Sequence, residues 1–211
     1  MRTYRPIADR RQQLVDAGLA IAERDGAAAV TVRRVAAEAG VSLGLVSYCF
    51  TTKEELTIAM ATRIVQELAE ASAADPESGV NSGVDPARPS ERIDGIASVL
   101  RSALRAMWSQ VERTPGRQLL TYEITTWALR DPGLHDVADQ QYAATVAIAG
   151  GVLARAAEAA GVRWTRDLDD LAGLVVMAID GATLRWLVDK DSEAALARLG
   201  DIADLLATMT A

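Results

Sequence analysis

Residues 31–56 read TVRRVAAEAGVSLGLVSYCFTTKEEL, and this stretch decides the fold. Two short helices are predicted on either side of the turn at 39–42. Gly40 can adopt the left-handed backbone conformation that closes the first helix, and Ser42 is a suitable N-cap for the second. Thr31 is placed to cap the first helix in the same way. Two short helices joined by so tight a turn form a helix-turn-helix.

A helix-turn-helix places its second helix in the DNA major groove, where the early residues of that helix meet base edges. The second helix predicted here covers residues 42–50. Hydroxyl groups can reach phosphates or bases, leucines can pack on thymine methyl groups, and a glycine lets the backbone approach closely. The candidate DNA-binding residues of this helix are Ser42, Leu43, Gly44, Leu45, Ser47 and Tyr48. A place in the core is the alternative for Tyr48.

Groups suited to phosphates surround this helix. Thr31 and the free amides of the first turn after it can hold one phosphate. Arg33 and Arg34 share that turn, and Lys53 lies at the start of the next helix, which a Thr-x-x-Glu capping box begins. A solvated helix face is the alternative interpretation of these three cations. The N-terminal arginines can form an arm along the DNA backbone or in the minor groove, or a free tail; they are Arg2, Arg5, Arg10 and Arg11.

These residues carry a resemblance that covers residues 10–56. It comprises Arg24-Asp25-Gly26, Thr31-Val-Arg-Arg-Val-Ala-x-x-Ala-Gly-Val-Ser42, Tyr48-Cys-Phe50 and Thr52-Lys-Glu-Glu-Leu56. In this combination the sequence resembles the tetracycline-repressor (TetR) family of transcriptional regulators. Ser47 stands where that family commonly has a tyrosine, and Cys49 where it has a histidine or an aromatic residue. The resemblance implies an all-helical homodimer whose last two long helices pair into a four-helix bundle, and a ligand cavity in the larger domain.

The rest of the chain also has a helical pattern, because alanine and leucine are abundant and no strand-length alternation occurs. We therefore predict an all-α fold with an N-terminal three-helix DNA-binding domain, 1–56, and a larger helical ligand-binding and dimerisation domain, 57–211. Turn-forming residues at 72–90 predict a flexible surface loop. The predicted helices cover 9–25, 31–40, 42–50, 52 onward, 91–112, 116–129, 134–160, 168–188 and 193–209.

Composition and charge exclude several classes of protein. The 211 residues are 50% hydrophobic and 24% charged, which is enough apolar material for a sizeable core. One cysteine, Cys49, rules out an internal disulfide, and with His135 as the single histidine a Cys/His zinc site is not expected. No apolar run reaches the length of about 18 residues that a membrane helix needs. We therefore expect a cytoplasmic protein with no cofactor, no membrane partner and no enzymatic activity.

The charge is unevenly distributed along the chain. The net charge is −7, yet residues 1–60 hold eight basic and seven acidic groups. A near-neutral N-terminal region on an acidic remainder favours approach of an anionic partner at one end.

Large aromatic side chains occur mainly in the second half of the sequence. Glu123 and Trp127 lie four residues apart on one helix face, and an acid beside an aromatic ring suits a cationic ligand. A surface glutamate next to a buried tryptophan is the alternative, and the other aromatics can equally belong to the core or a dimer interface. The candidate ligand-binding residues are Met107, Trp108, Tyr122, Glu123, Trp127 and Tyr142.

Two apolar stripes near the C-terminus suit a helix bundle, either as the core of a monomer or as a dimer interface. They comprise Leu171, Leu174, Val175, Ala178 and Ala182, and Leu196, Leu199, Ile202 and Leu206.

Together these features predict a ligand-responsive transcriptional repressor. It would bind a near-palindromic, double-stranded operator as a homodimer and be released by a small-molecule effector. Half-sites would be about 34–36 Å apart, one helical turn of DNA. The alternatives are a helical small-molecule or partner-binding protein without specific DNA binding, and a helical enzyme.

Overall fold

A computed structural model describes residues 6–74, 89–130 and 135–211. Within these residues the fold is all-α, as predicted, and the only β-type pairing is one antiparallel bridge between Trp164 and Thr210. A short 3₁₀ helix, Ala27–Ala29, joins the first two α-helices. The α-helices are α1 (Ile7–Asp25), α2 (Val32–Glu38), α3 (Leu43–Cys49), α4 (Lys53–Ala74), α5 (Pro89–Arg113), α6 (Pro115–Ala128), α7 (His135–Ala160), α8 (Leu168–Asp189) and α9 (Ser192–Ala207).

The chain forms two compact units. The first, which we call the head unit, comprises Met1–Glu67 and Pro115–Gln141. The second, the body unit, comprises Leu68–Thr114 and Tyr142–Ala211. The domain boundary predicted at residue 56 stays a prediction, whereas the internal contacts place α6 with the head unit.

The core of the head unit is built from one face of α1. Its buried residues include Leu14 and Ile21, as the spacing of three and four residues predicts for an amphipathic helix. Val35 of α2 and Val46 of α3 are both fully buried in the same cluster. Leu120 and Ile124 of α6 complete it. Each fully buried side chain of this kind contributes about 1.5–3 kcal/mol to stability.

The turn between α2 and α3 has the geometry that its glycine predicts. Gly40 has a φ of 65°, in the left-handed region. Its amide donates to the Ala37 carbonyl at 3.2 Å, and the Val41 amide donates to the Ala36 carbonyl at 2.9 Å. These two bonds form a Schellman motif, which satisfies carbonyls that the end of α2 leaves free. The Ser42 hydroxyl then accepts the Leu45 amide at 3.3 Å and caps α3.

The predicted cap of α4 is present with one change. The Thr52 hydroxyl accepts the Glu55 amide at 3.1 Å, as a capping box requires. The carboxylate of Glu55, however, accepts the amide of Thr51 at 2.8 Å rather than that of Thr52. The Glu55 side chain therefore binds the backbone of Thr51, the residue before the N-cap Thr52.

The body unit packs α5 and α8 against α9. One cluster of buried residues includes Leu100 of α5, Leu153 of α7 and Leu171 of α8. A second cluster forms around Trp108 and Trp186, whose rings meet edge to face with centroids 5.8 Å apart. An edge-to-face pair of this kind adds about 0.5–1.5 kcal/mol beyond the area that it buries.

Most of the predicted C-terminal stripes belong to this core and not to a free surface. Leu171 and Leu199 are almost fully buried within the chain, and so is Leu206. For these residues the monomer-core alternative is confirmed. The exposed apolar residues of α8 and α9 lie elsewhere on the helices and are Met177, Leu184, Val188 and Leu205.

Most predicted helix boundaries differ from the structure by one to three residues, among them the end of α9 and both edges of the predicted loop 72–90. Helix α9 ends at Ala207 and not at residue 209, because the next residues pair with another segment: Thr165 donates to the Met209 carbonyl at 2.9 Å. Residues 72–74 of the predicted flexible loop belong to α4, and residues 89–90 begin α5. The remainder of that loop lies outside the described residues.

Two helical segments, Ala138–Ala160 and Leu168–Asp189, are long and apolar enough to cross a membrane by length and composition. Polar residues interrupt their apolar runs, so the sequence did not predict them. Core helices of water-soluble proteins meet the same criterion, and this is weak evidence for a membrane span. Leu171 and Val175 of the second segment lie in the core of the body unit.

Two glycines of the helix-turn-helix should respond in opposite ways to the same substitution. Gly40→Ala should lower the free energy of unfolding by about 1–2 kcal/mol, because alanine is strained at positive φ. Gly44 lies inside α3, and apart from its chain neighbours and the nearby backbone of α3 no described atom lies within 4 Å of the place that an alanine Cβ would take. Gly44→Ala should therefore raise the free energy of unfolding by about 0.5–1 kcal/mol. Urea unfolding measures both, and equal effects would contradict this account of the turn.

Candidate nucleic-acid interface and effector residues

One face of α3 is exposed and the other is buried. Val46 and Cys49 lie in the core of the head unit. On the opposite face Tyr48 is 74% exposed and Leu43 is 48% exposed. The core alternative for Tyr48 is therefore wrong. Ser42, Gly44 and Ser47 are exposed as well.

Leu45 is the exception among the predicted residues of α3. It is half-buried and packs against the core cluster of the head unit. The sequence offered Leu43 and Leu45 equally for a thymine contact, and the structure favours Leu43. The reason is the helical period, which turns residue 45 toward the buried side that Val46 and Cys49 share.

The groups suited to phosphates divide into free and paired cations. Arg33 and Lys53 are exposed and form no ion pair with any described residue. The Thr31 hydroxyl is exposed and accepts the Arg34 amide at 3.3 Å as the cap of α2. Arg34 itself is paired through its guanidinium with Asp25. Arg33 and Lys53 are therefore the cations available to a phosphate.

The Arg34 pair belongs to a network that joins the end of α1 to α2. Arg24 contacts Glu38 at 3.1 Å and Asp25 at 3.3 Å. The hydrogen bond from Arg34, together with the charge of Arg24, holds the pKa of Asp25 below its usual value. Both acids are thus acceptors for arginines within the head unit.

The predicted N-terminal arm is wrong for two of its four arginines. Arg10 and Arg11 lie within α1, and Arg11 is paired with Glu55 at 2.9 Å. The sequence missed this because the partners are 44 residues apart and no local pattern links them. Arg2 and Arg5 lie outside the described residues.

Helix α6 is fastened to the head unit by polar contacts as well as by its core residues. The Glu123 carboxylate accepts the amide of Ala27, the first residue of the 3₁₀ helix, at 2.8 Å. Arg117 pairs with Glu23 of α1 at 2.6 Å and also with Glu67 of α4. A side chain at Gly116 would collide with the Glu23 carbonyl, so glycine permits this close approach.

The predicted effector residues of the head unit lie on α6 and are half-buried: Tyr122, Glu123 and Trp127. Trp127 packs beside Ala128, Ala138 and Ile58. Glu123, four residues earlier, is engaged with the Ala27 amide. A ligand that bound to Glu123 and Trp127, as predicted, would therefore compete with the Ala27 amide for the Glu123 carboxylate.

The predicted effector residues of the body unit form two groups. Met107 and Trp108 belong to the cluster around Trp186. Trp108 is fully buried, and its indole N–H has no hydrogen-bond acceptor among the described residues. Tyr142 donates to the Asp180 carboxylate at 3.0 Å, and burial together with that carboxylate raises the pKa of Tyr142.

Two surface grooves lie elsewhere. One, of about 630 Å³, runs between α8 and α9 in the body unit, and the other, of about 470 Å³, between α1 and α4 in the head unit. None of the six predicted effector residues lines either groove.

Two family descriptions match most of the chain. Residues 14–60 match "Bacterial regulatory proteins, tetR family", and residues 91–210 match "Tetracyclin repressor-like, C-terminal domain". The chain belongs to the TetR family. The family predicted from the helix-turn-helix residues is thus confirmed, and the second match extends it to the body unit.

Curated relatives of this TetR-family chain are transcriptional regulators. The nicotine-responsive transcriptional repressor HdnoR of Paenarthrobacter nicotinovorans is 33% identical over 137 residues, which are 64% of this chain and 62% of that protein. The regulator BetI 2 of Chromohalobacter salexigens is 43% identical over 65 residues, 31% of each chain. The chain thus matches less than two thirds of the length of either relative.

Solved structures with the same architecture include a multidrug binding protein and a transcription regulator. The multidrug binding protein EbrR, in complex with ethidium, is 29% identical with a TM-score of 0.59, over 92% of this chain and 98% of that one. A TetR regulator from Haloarcula marismortui has a TM-score of 0.70 at 18% identity, over 97% of this chain and 100% of that one. At 18% identity, the similarity to the Haloarcula marismortui structure supports the fold alone.

Loss of the Glu123 carboxylate should loosen the connection between α1 and α2. Glu123→Ala removes the acceptor of the Ala27 amide, and we expect faster hydrogen exchange at residues 26–30. The free energy of unfolding should fall by about 1.5–3 kcal/mol, the usual range for a hydrogen bond to a charged group. Glu123→Gln keeps an acceptor oxygen and is the matched control. Unchanged exchange in Glu123→Ala would show that this bond does not hold the segment.

Proposed function

We propose that this TetR-family protein is a ligand-responsive transcriptional repressor that binds a near-palindromic operator as a homodimer through α3. The exposed face of α3 carries the proposal. Tyr48 and Leu43 are large and largely exposed, and small or hydroxyl-bearing residues separate them. These exposed side chains are not part of the core of the head unit. In a major groove they would meet base edges and phosphates.

Two free cations flank α3 and support the same proposal. Arg33 lies on the first turn of α2 and Lys53 begins α4, so they come from the helices before and after α3. Phosphate contacts on both sides of a reading helix set its register on the duplex. Thr31, Arg34 and the other candidates on α3 stay predicted contacts.

The apolar surface of α8 and α9 supports the dimer. Met177 is 67% exposed and Val188 is 80% exposed, far above what a buried core helix shows. Arg185, Arg198 and Asp201 line the groove between the two helices. A second copy brings the same apolar stripe and the same opposite charges, which a two-fold axis can pair. In such a dimer the two head units would bind half-sites about 34–36 Å apart.

We infer that the effector is a compound that combines an aromatic ring with a positive charge or a basic amine. HdnoR is named as nicotine-responsive, and EbrR structures hold ethidium and malachite green. Nicotine joins an aromatic pyridine ring to a basic aliphatic amine that is protonated at neutral pH, and the two dyes are aromatic cations. In this chain an acid and aromatic rings lie together on α6, at Glu123, Tyr122 and Trp127, and such a set attracts cations. The other predicted effector residues, Met107, Trp108 and Tyr142, stay a prediction.

Glu123 also provides a route from effector to DNA. Its carboxylate holds the Ala27 amide beside the start of α2. A cation that pairs with Glu123 would compete with that hydrogen bond and free the α1–α2 connection. Coupling between effector and operator is typically about 1–3 kcal/mol and reciprocal, so DNA should weaken effector binding by the same factor.

The DNA proposal predicts a loss of operator affinity without loss of the dimer. Arg33→Ala with Lys53→Ala should weaken binding to DNA from upstream of the gene. The slope of log K against log salt should fall by about 0.9 for each lost phosphate contact. Tyr48→Ala should also bind weakly, and both variants should sediment as dimers.

Arg166→Ala is the matched control, because it removes an exposed positive charge from the body unit. Wild-type affinity and slope in the double variant would show that the two cations do not contact DNA. A wild-type protein whose DNA affinity is neither saturable nor salt-dependent would favour the helical ligand- or partner-binding alternative.

The effector proposal predicts binding of nicotine, malachite green or ethidium by calorimetry in the absence of DNA. Glu123→Ala should bind the same compound about tenfold more weakly, a loss of one charge-assisted contact. Cotinine, in which a neutral lactam replaces the basic amine of nicotine, is the control ligand and should bind more weakly than nicotine. If none of the three compounds binds, the proposed effector class is wrong.

A further inference from the structure

Arg11 lies where α1, the end of α3 and the start of α4 meet. Its guanidinium donates to the carbonyl of Cys49, the last residue of α3, and contacts the Glu55 carboxylate at 2.9 Å. The guanidinium carbon also lies 4.2 Å from the centroid of the Phe50 ring. One side chain of α1 thus touches three successive parts of the chain between α3 and α4.

Glu55 extends this contact to the loop after α3. One carboxylate oxygen binds Arg11, and the other accepts the Thr51 amide at 2.8 Å. These two donors, the amide first, keep the pKa of Glu55 below its usual value. Each oxygen of the carboxylate therefore binds a donor of the head unit.

Gln13 makes the equivalent contact at the end of α2. Its amide group donates to the Ala39 carbonyl at 2.8 Å, and its oxygen accepts a bond from Arg10 at 3.0 Å. Ala39 is the C-cap of α2. Two nearby side chains of α1, Arg11 and Gln13, therefore hold the C-terminal ends of both helices of the helix-turn-helix.

These contacts matter because α2 and α3 have only seven residues each. The last carbonyls of a helix lack partners within it, and a cation there also interacts well with the helix dipole. Arg11 fits this place because its planar fork can bind a carbonyl and a carboxylate and stack on a ring at once. A lysine cannot do all three.

We propose that Arg11, with Glu55, and Gln13 form a clamp on α1 that positions the recognition helix α3 for DNA binding. Arg11 is thus a positioning residue and not a phosphate ligand. The inference rests on the proposed function for its effect on DNA affinity. The clamp itself is a property of the free protein and can be measured without DNA.

A phosphate ligand and a positioning residue predict different results. As a phosphate ligand, Arg11 would be restrained by Glu55, and Arg11→Lys would keep most of the affinity. Loss of Arg11 would lower the salt slope by about 0.9, and loss of Glu55 would tighten binding. As a positioning residue, Arg11 needs its fork and its partner, and losing either should weaken binding at an unchanged slope.

The experiment compares Arg11→Ala, Arg11→Lys, Glu55→Ala and Gln13→Ala in the full chain. Glu54→Ala removes the same charge from the next residue, and Gln12→Ala removes an exposed amide whose partner, Asp16, is on α1 itself. Operator affinity is measured over a range of salt concentrations. Hydrogen exchange of residues 42–55 is measured without DNA.

We expect the four clamp variants to raise the operator Kd about tenfold over the two controls at an unchanged salt slope. Exchange at α3 and at Thr51 should be faster in Arg11→Ala and Glu55→Ala than in Glu54→Ala. A lower slope in Arg11→Ala, or tighter binding by Glu55→Ala than by Glu54→Ala, would overturn the proposal. If the wild-type protein binds no operator, hydrogen exchange alone tests the clamp. Faster exchange in Arg11→Ala and Glu55→Ala supports the clamp, and unchanged exchange overturns it.

Discussion

The structure of the head unit depends on how α1 holds two helices that are too short to hold themselves. Isolated helices are marginal below about 12–15 residues, and α2 and α3 have seven each. Their stability and direction therefore come from tertiary contacts. Val35 and Val46 supply burial against α1, and Gln13 and Arg11 bind the carbonyls at the two helix ends. A protein that reads DNA needs this constraint, since a rotated helix presents other atoms to the groove.

Helix α6 extends the same constraint beyond the first four helices. Its Leu120 and Ile124 lie in the head-unit core, and its Glu123 binds the segment before α2. The close approach at Gly116 and the two acids around Arg117 fix the start of the helix. A movement of α6 would therefore change the hydrogen bond between Glu123 and Ala27 in the connection between α1 and α2. This gives the effector proposed here a direct physical path to the reading helix.

Much of the fold could be predicted from the sequence, because its signals are local. Thr31, Ser42 and Gly40 set the ends of α2 and α3 through bonds that span three to five residues, and the apolar period identified the buried side of α1. The exposed Tyr48 followed from the same period. Leu45 was missed because a seven-residue helix offers too few turns to place its edge residues. The predicted N-terminal arm was wrong at Arg11, because the sequence near a terminus does not show whether an arginine binds a phosphate or a carboxylate.

By itself, the sequence determined the helical class, the helix-turn-helix and the family, since caps, turns and period depend on neighbours within a few residues. The tertiary structure alone decided which cations are free. Arg33 is available while Arg34 is held by Asp25, although the two are adjacent and chemically identical. It also decided that Glu123 binds Ala27, 96 residues away in the chain. Such pairings require two backbone segments to approach within hydrogen-bond distance, and only the packing of the whole core sets that distance.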